Sequence, residues 1–293
     1  MILQKDRHYS LQIGQGKGKG LLIENLHIEF TVTKSANNKK KTNKATLKIY
    51  NLSEEHQKYM EAPFVEVVLS VGYADTGLFR LFAGQVTIAG TRKEGSETVT
   101  TIQLDSLYTE LNNKRVSKTT PPGTSVMGVI KSLASEMSGV SQVVFSGQNI
   151  HKSFIDGYPL TGTPREILNE LAEAFELEWQ VDDGVMYIQD VGFSYMKDNN
   201  KAYVFSETSG LLDRPYFDNI EKRRGKGDKV KEARKGVKLK TLLNPTIVAG
   251  SIVRVEYGEF TGFYKVESVT HKGGIYSEDW TSDLVLGTVL KTA

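Results

Sequence analysis

Side chains that alternate between apolar and polar over strand-length runs limit what the first third of this chain can fold into. Leu26, Ile28, Phe30 and Val32 alternate with His27, Glu29 and Thr31, the period of two that gives a strand one face in a core and one in water. Ala45, Leu47 and Ile49 repeat the pattern against Thr46, Lys48 and Tyr50, and Val65, Val67, Leu69, Val71 and Tyr73 repeat it again. Phe79 to Thr91 and Thr98 to Leu104 read as two more strands. Runs of this kind, parted by glycine and polar turns, predict an antiparallel barrel or sandwich. Ser53 is placed to cap a short surface helix that runs to Met60.

The middle changes period. Thr120-Pro121-Pro122-Gly123 breaks the strand pattern, and Val126, Val129, Ile130, Leu133 and Met137 then fall at helical spacing. Thr163, Pro164 and Glu166 form a capping-box start for a second helix, whose buried stripe is Ile167, Leu168, Leu171, Ala172 and Phe175. A hairpin follows, Leu177 to Val181 and Val185 to Gln189, turned by Asp182-Asp183-Gly184. Strand patterns return at Ala202 to Phe205, Val237 to Leu242, Ile252 to Tyr257, Phe263 to His271 and Trp280 to Leu286. The predicted fold is β-rich (α+β): two antiparallel β-barrel or sandwich domains, 1–115 and 201–293, with a small α+β domain, 116–200, between them.

At 293 residues, 39% of them hydrophobic and 25% charged, the chain has material for more than one core. The net charge of +2 gives no global argument for nucleic-acid binding. Without cysteine there is no disulfide, no thiol nucleophile and no sulfur-ligated zinc. The first residues carry no signal-peptide pattern. No run nears the ~20 apolar residues of a spanning helix, so no membrane insertion is expected.

Chemical motifs fail on context. The glycines from Gly14 to Gly20 precede a strand pattern, whereas a phosphate cradle opens a helix, so a hairpin connection is expected. His8, His27, His56, His151 and His271 lack metal-ligand spacing, and His27 and His271 are expected on polar strand faces. Ser194 and Lys197 match an SxxK spacing without its companion motifs, and there is no GxSxG. Glu173, Glu176 and Asp182 read as helix and turn acids rather than a glycosidase pair, with Asp182 serving the hairpin turn. No catalytic residue, cofactor or metal ligand is therefore expected.

Two basic segments remain, Asn37 to Lys44 and Glu221 to Gly236, the second with eight Lys or Arg against three acids. Neither can bury much apolar area, so both read as mobile loops. The candidate partner contacts in them are Lys39, Lys40, Lys41, Lys44, Arg223, Arg224, Lys226 and Lys229. Their charge also admits a salt-dependent DNA-binding reading.

Three stretches resemble hub proteins of contractile phage tails, the late control D or tail hub family. They are Asn43 to Ser53 (NKATLKIYNLS), Glu207 to Pro215 (ETSGLLDRP), and a final set of Leu242 to Gly250, Gly262 to Gly273 and Trp280. The resemblance implies that both β-domains have the tail-tube fold. It implies a homotrimeric ring that joins a hexameric tail tube to a trimeric central spike around a channel, with no catalysis. Implied partners are a second and third copy of the chain, the tube protein, the spike protein, the tape-measure protein and other baseplate proteins, with DNA at most a transient contact in the channel. The implied location is the virion tail baseplate, after assembly in the host cytoplasm. A tail-tube or distal-tail ring subunit is the near alternative; a cell-wall hydrolase has no motif behind it.

Overall fold

A computed structural model describes residues 6–14, 20–39, 42–62, 64–191, 202–219, 223–224, 230–231 and 235–288. The protein is β-rich, as the alternation predicts, and one 13-stranded sheet runs through both ends of the chain.

The N-terminal unit comprises β1 (Arg7–Gly14), β2 (Leu21–Ile23), β3 (Ile28–Ser35), β4 (Lys44–Tyr50), α1 (Glu54–Met60), β5 (Glu66–Tyr73), β6 (Gly77–Glu94) and β7 (Glu97–Asp105). Their antiparallel order is β3-β4-β7-β6-β5-β1-β2. β1 is absent from the strand runs read in the sequence, although Tyr9, Leu11 and Ile13 alternate and are buried. It pairs antiparallel with β2, and most of the glycine-rich segment between them, residues 15–19, lies outside the described residues. The predicted strand from Leu26 starts at Ile28, after a bend. Ser53 caps α1 by accepting from the His56 amide.

The middle unit comprises α2 (Tyr108–Asn112), β8 (Val116–Thr120), α3 (Val126–Ala134), β9 (Gln142–Ser146), β10 (Tyr158–Gly162), α4 (Pro164–Ala174), β11 (Leu177–Asp182) and β12 (Val185–Asp190). The α4 capping box is complete, with Thr163 accepting from the Glu166 amide and Glu166 accepting from the Thr163 amide. The β11–β12 turn needs positive φ at both central residues; Asp183 (51°) and Gly184 (77°) supply it. β12 also pairs with β9 in parallel, which leaves β11 at the edge of its three-stranded sheet.

The C-terminal unit comprises β13 (Tyr203–Ser206), β14 (Tyr216–Asn219), β15 (Arg223–Arg224), β16 (Val230–Lys231), β17 (Lys235–Leu242), β18 (Ile252–Glu256), β19 (Gly262–Gly274) and β20 (Trp280–Thr288). β19 joins the two ends of the protein. Its first residues pair with β18, its last residues pair with β3, and β20 lies along its other edge.

Apolar side chains gather in three cores, one per unit, but the boundary between the β-units is interlocked. Leu243 and Trp280 come from the C-terminal unit and are buried in the N-terminal core. Phe30 and Tyr73 meet the Trp280 ring edge-on at 5.6 and 6.1 Å, and the Arg7 guanidinium lies 5.4 Å from its centroid. Gly273 is required at this contact, since a Cβ there would come within 2.7 Å of both Phe30 and Trp280 ring atoms.

Candidate functional site

The most constrained polar groups of the molecule lie where the middle unit meets the two β-units. β11 is buried on both faces. Leu177, Trp179 and Val181 enter the middle core. Alternation turns Glu178, Gln180 and Asp182 the other way, toward the shared sheet. There Lys265 of β19 meets Glu178 at 2.7 Å, with both side chains at most 5% exposed. Lys34 of β3 meets Asp182 at 2.8 Å, and Gln180 donates to the Ala249 carbonyl at 2.7 Å. Gln189 of β12 donates to Glu178 as well. A buried charge is tolerable only when paired and hydrogen-bonded, and each lysine here has its carboxylate.

The free edge of β11 is closed by the segment between β3 and β4. The Asn38 amide donates to the Trp179 carbonyl at 2.7 Å, and the Val181 amide donates to Asn38 Oδ1 at 3.0 Å. Asn43 Nδ2 donates to the Val181 carbonyl at 2.9 Å, while its Oδ1 accepts from the Ser35 amide. Two buried asparagines thus do what a neighbouring strand would do, and they keep the edge from pairing elsewhere. The segment expected to be a mobile basic loop is anchored at both of its ends.

Of the lysines predicted as partner contacts, Lys39 forms an ion pair with Glu173 at 3.0 Å and Lys44 with Asp105 at 3.7 Å. Lys40, Lys41, Lys226 and Lys229 lie outside the described residues. Arg223 and Arg224 form β15, paired with β16 in a hairpin of its own. The structure thus brings Lys39 to the junction, keeps the Lys44 pair within the N-terminal unit, and places the 223–224 pair in a hairpin apart from it.

Two sequence expectations are corrected. His271 is fully buried rather than on a polar strand face, because its ring is enclosed on that face beside Lys34, Ser282 and the Ile247 backbone. Its Nδ1 is 2.8 Å from Ser282 Oγ. Burial, reinforced by the Lys34 ammonium, pushes its pKa down to about 3, so it is neutral. Asp182 flanks the turn, pairing with Val185 at the end of β11, but its side chain serves the junction rather than the hairpin, since it holds Lys34. His27 is half-buried and stacks on Tyr50 at 4.1 Å. Sequence reasoning missed Lys34, Lys265, Glu178 and Asn38, since a charged or amide side chain in a strand pattern reads as solvent-facing.

The motifs quoted from the sequence supply much of this junction. Asn43 begins the first, Leu243 and Ala249 belong to the last set with Lys265 and His271, and Trp280 closes it. A family model for Baseplate hub gp41 matches residues 9–257. No curated protein matches the chain by sequence. Among solved structures, the 43 kDa tail protein of prophage MuSo2 from Shewanella oneidensis superposes with a TM-score of 0.64 at 10% identity, over 96% of each chain. The tail protein from Neisseria meningitidis MC58 gives 0.64 at 12% identity, over 97% of each. The Escherichia coli c3393 protein, a component of the type VI secretion system, gives 0.60 at 9% identity, over 94% of this chain and 76% of that one. At such identities these likenesses show a shared fold, while the family match covers most of the chain: the protein belongs to the Baseplate hub gp41 family, structural proteins of the phage tail baseplate.

Proposed function

We propose that this protein is the hub subunit of a contractile tail, forming a homotrimeric ring that joins the hexameric tail tube to the trimeric central spike. The observation behind this reading is the fusion of two β-units into one sheet through β19 and β3. Three such chains offer six β-units toward a six-fold tube and one three-fold axis toward a spike, so one ring can adapt between the two symmetries. The sheet path ends at β2 and β14 among the described residues, which leaves strand edges for neighbouring subunits. Exposed Leu22 on β2 and Tyr216 and Phe217 on β14 flank those edges.

In this reading the domains are 1–115, 116–200 and 201–293; three cores support a three-part division, although Leu107 and Leu111 join the middle core and Leu243 and Trp280 join the N-terminal one. The role is mechanical, with no cofactor and no catalytic step, in the virion baseplate after assembly in the host cytoplasm. The tube, spike and tape-measure proteins are the partners, and DNA passes the ring without a dedicated site. Arg223, Arg224, Lys226 and Lys229 are proposed contacts to neighbouring subunits or the tube, with Lys40 and Lys41 in a similar role.

Light scattering on the purified 32.6 kDa chain at several concentrations tests the ring. Three chains per particle is the expected result. Six chains would replace the hub reading with a tube or distal-tail ring, and a monomer at every concentration would overturn self-assembly as a property of this chain alone.

A further inference from the structure

Charge is divided among the three units in a way the total of +2 conceals. Residues 1–115 and 201–293 each carry 16 Lys or Arg against 12 Asp or Glu, whereas residues 116–200 carry 5 against 11. An acidic unit therefore sits on a basic platform. Among the described residues, four ion pairs between them run the same way: Lys34, Lys39, Arg80 and Lys265 from the platform meet Asp182, Glu173, Asp183 and Glu178 from the middle unit.

Apolar side chains are distributed differently. The middle core draws on residues 107–188, with only Leu107 and Leu111 coming from before residue 116 among the described residues, while the two β-units share Leu243 and Trp280 across their boundary. The platform is thus locked by buried hydrocarbon, and the middle unit is seated by charges and amides. These two kinds of contact open with different ease. Separating apolar faces exposes hydrocarbon to water with nothing in return. Separating a buried ion pair loses the Coulomb attraction but restores hydration to both charges, and the two terms nearly cancel. Asn38 and Asn43 likewise exchange the β11 edge for water.

We propose that the β11 seam is a joint, at which the α+β unit lifts off the β-platform as an intact body before either part unfolds. The seam's polar pattern fixes the seated orientation, since only one placement gives each lysine its carboxylate. The two amides that cross the seam, Asn38 N–H and Val181 N–H, report its opening directly.

The test is amide-resolved hydrogen exchange by NMR on the full chain, across low urea concentrations. Asn38 and Val181 are expected to exchange together, at least tenfold faster than the amides of β4 and of central strand β12, with a shallow urea dependence. Exchange of both at the rate and steep urea dependence of β4 and β12 would overturn the joint. A second arm replaces the Lys265–Glu178 pair by Met and Leu (K265M/E178L). An apolar seam should slow Asn38 and Val181 at least threefold while β4 and β12 are unchanged, and unchanged exchange at Asn38 and Val181 in that variant would count against the charged seam as the cause. The outcome is independent of how many copies form a ring.

Discussion

Lys265 and His271 lie six residues apart on β19 and show how buried polar side chains survive in a β-protein by opposite means. Lys265 is matched by a partner, the Glu178 carboxylate 2.7 Å away. Replacing Lys265 by Met leaves that carboxylate in a dry seam, and by the cost of orphaning one partner of a buried pair the variant should lose about 3–5 kcal/mol in urea unfolding. His271 instead gives up its charge. Its folded pKa of about 3 lies below the ordinary 6.5, so between those values the unfolded chain binds a proton that the folded chain refuses. Its contribution is complete above pH 6.5 and drains as the pH falls, by about 1.4 kcal/mol per unit. Unfolding at pH 7.5 and pH 5.0 should therefore differ by about 2 kcal/mol on account of this residue, and the His271→Asn variant should show a correspondingly smaller difference.

Among elements, α4 offers the cleanest test, because its start is fixed by side chains with no other duty. Thr163→Ala removes the oxygen that accepts the Glu166 amide and should cost about 1 kcal/mol of stability in thermal denaturation, read at the middle unit. That helix was legible in the sequence since cap, proline and glutamate are local signals. So were most long strands of the β-units, where hydrophobic alternation and burial coincide, although β1, β2 and β14 were not read as strands of their own. β11 was legible as a strand but not as a junction: Glu178, Gln180 and Asp182 alternate with Leu177, Trp179 and Val181 just as a half-exposed strand should. Only the docking of β11 on β3 and β19, from residues about 140 positions before and 70–90 after, turns the polar face inward. The same blindness hid Asn38, whose partners Trp179 and Val181 lie far along the chain. The strand motif from Asn43 to Ser53 was visible, but the reason for its leading asparagine was not.

For the whole molecule, the two tryptophans report on different bodies, Trp179 in the middle core and Trp280 in the N-terminal one. Trp280→Ala empties a packed site between Phe30 and Tyr73 and should cost about 3–5 kcal/mol. The loss should lower the melting of both β-units as one calorimetric transition, since the residue belongs by sequence to one and by burial to the other. The same interlock has a consequence for how the chain is made. The ribosome delivers the strands of the N-terminal unit first, yet the pocket among them stays unfilled until Leu243 and Trp280 emerge. At the usual elongation rate, the roughly 176 residues from Leu104 to Trp280 take about ten to thirty-five seconds. Throughout that interval the nascent barrel has a vacancy that its own later sequence must reach before another hydrophobic chain does.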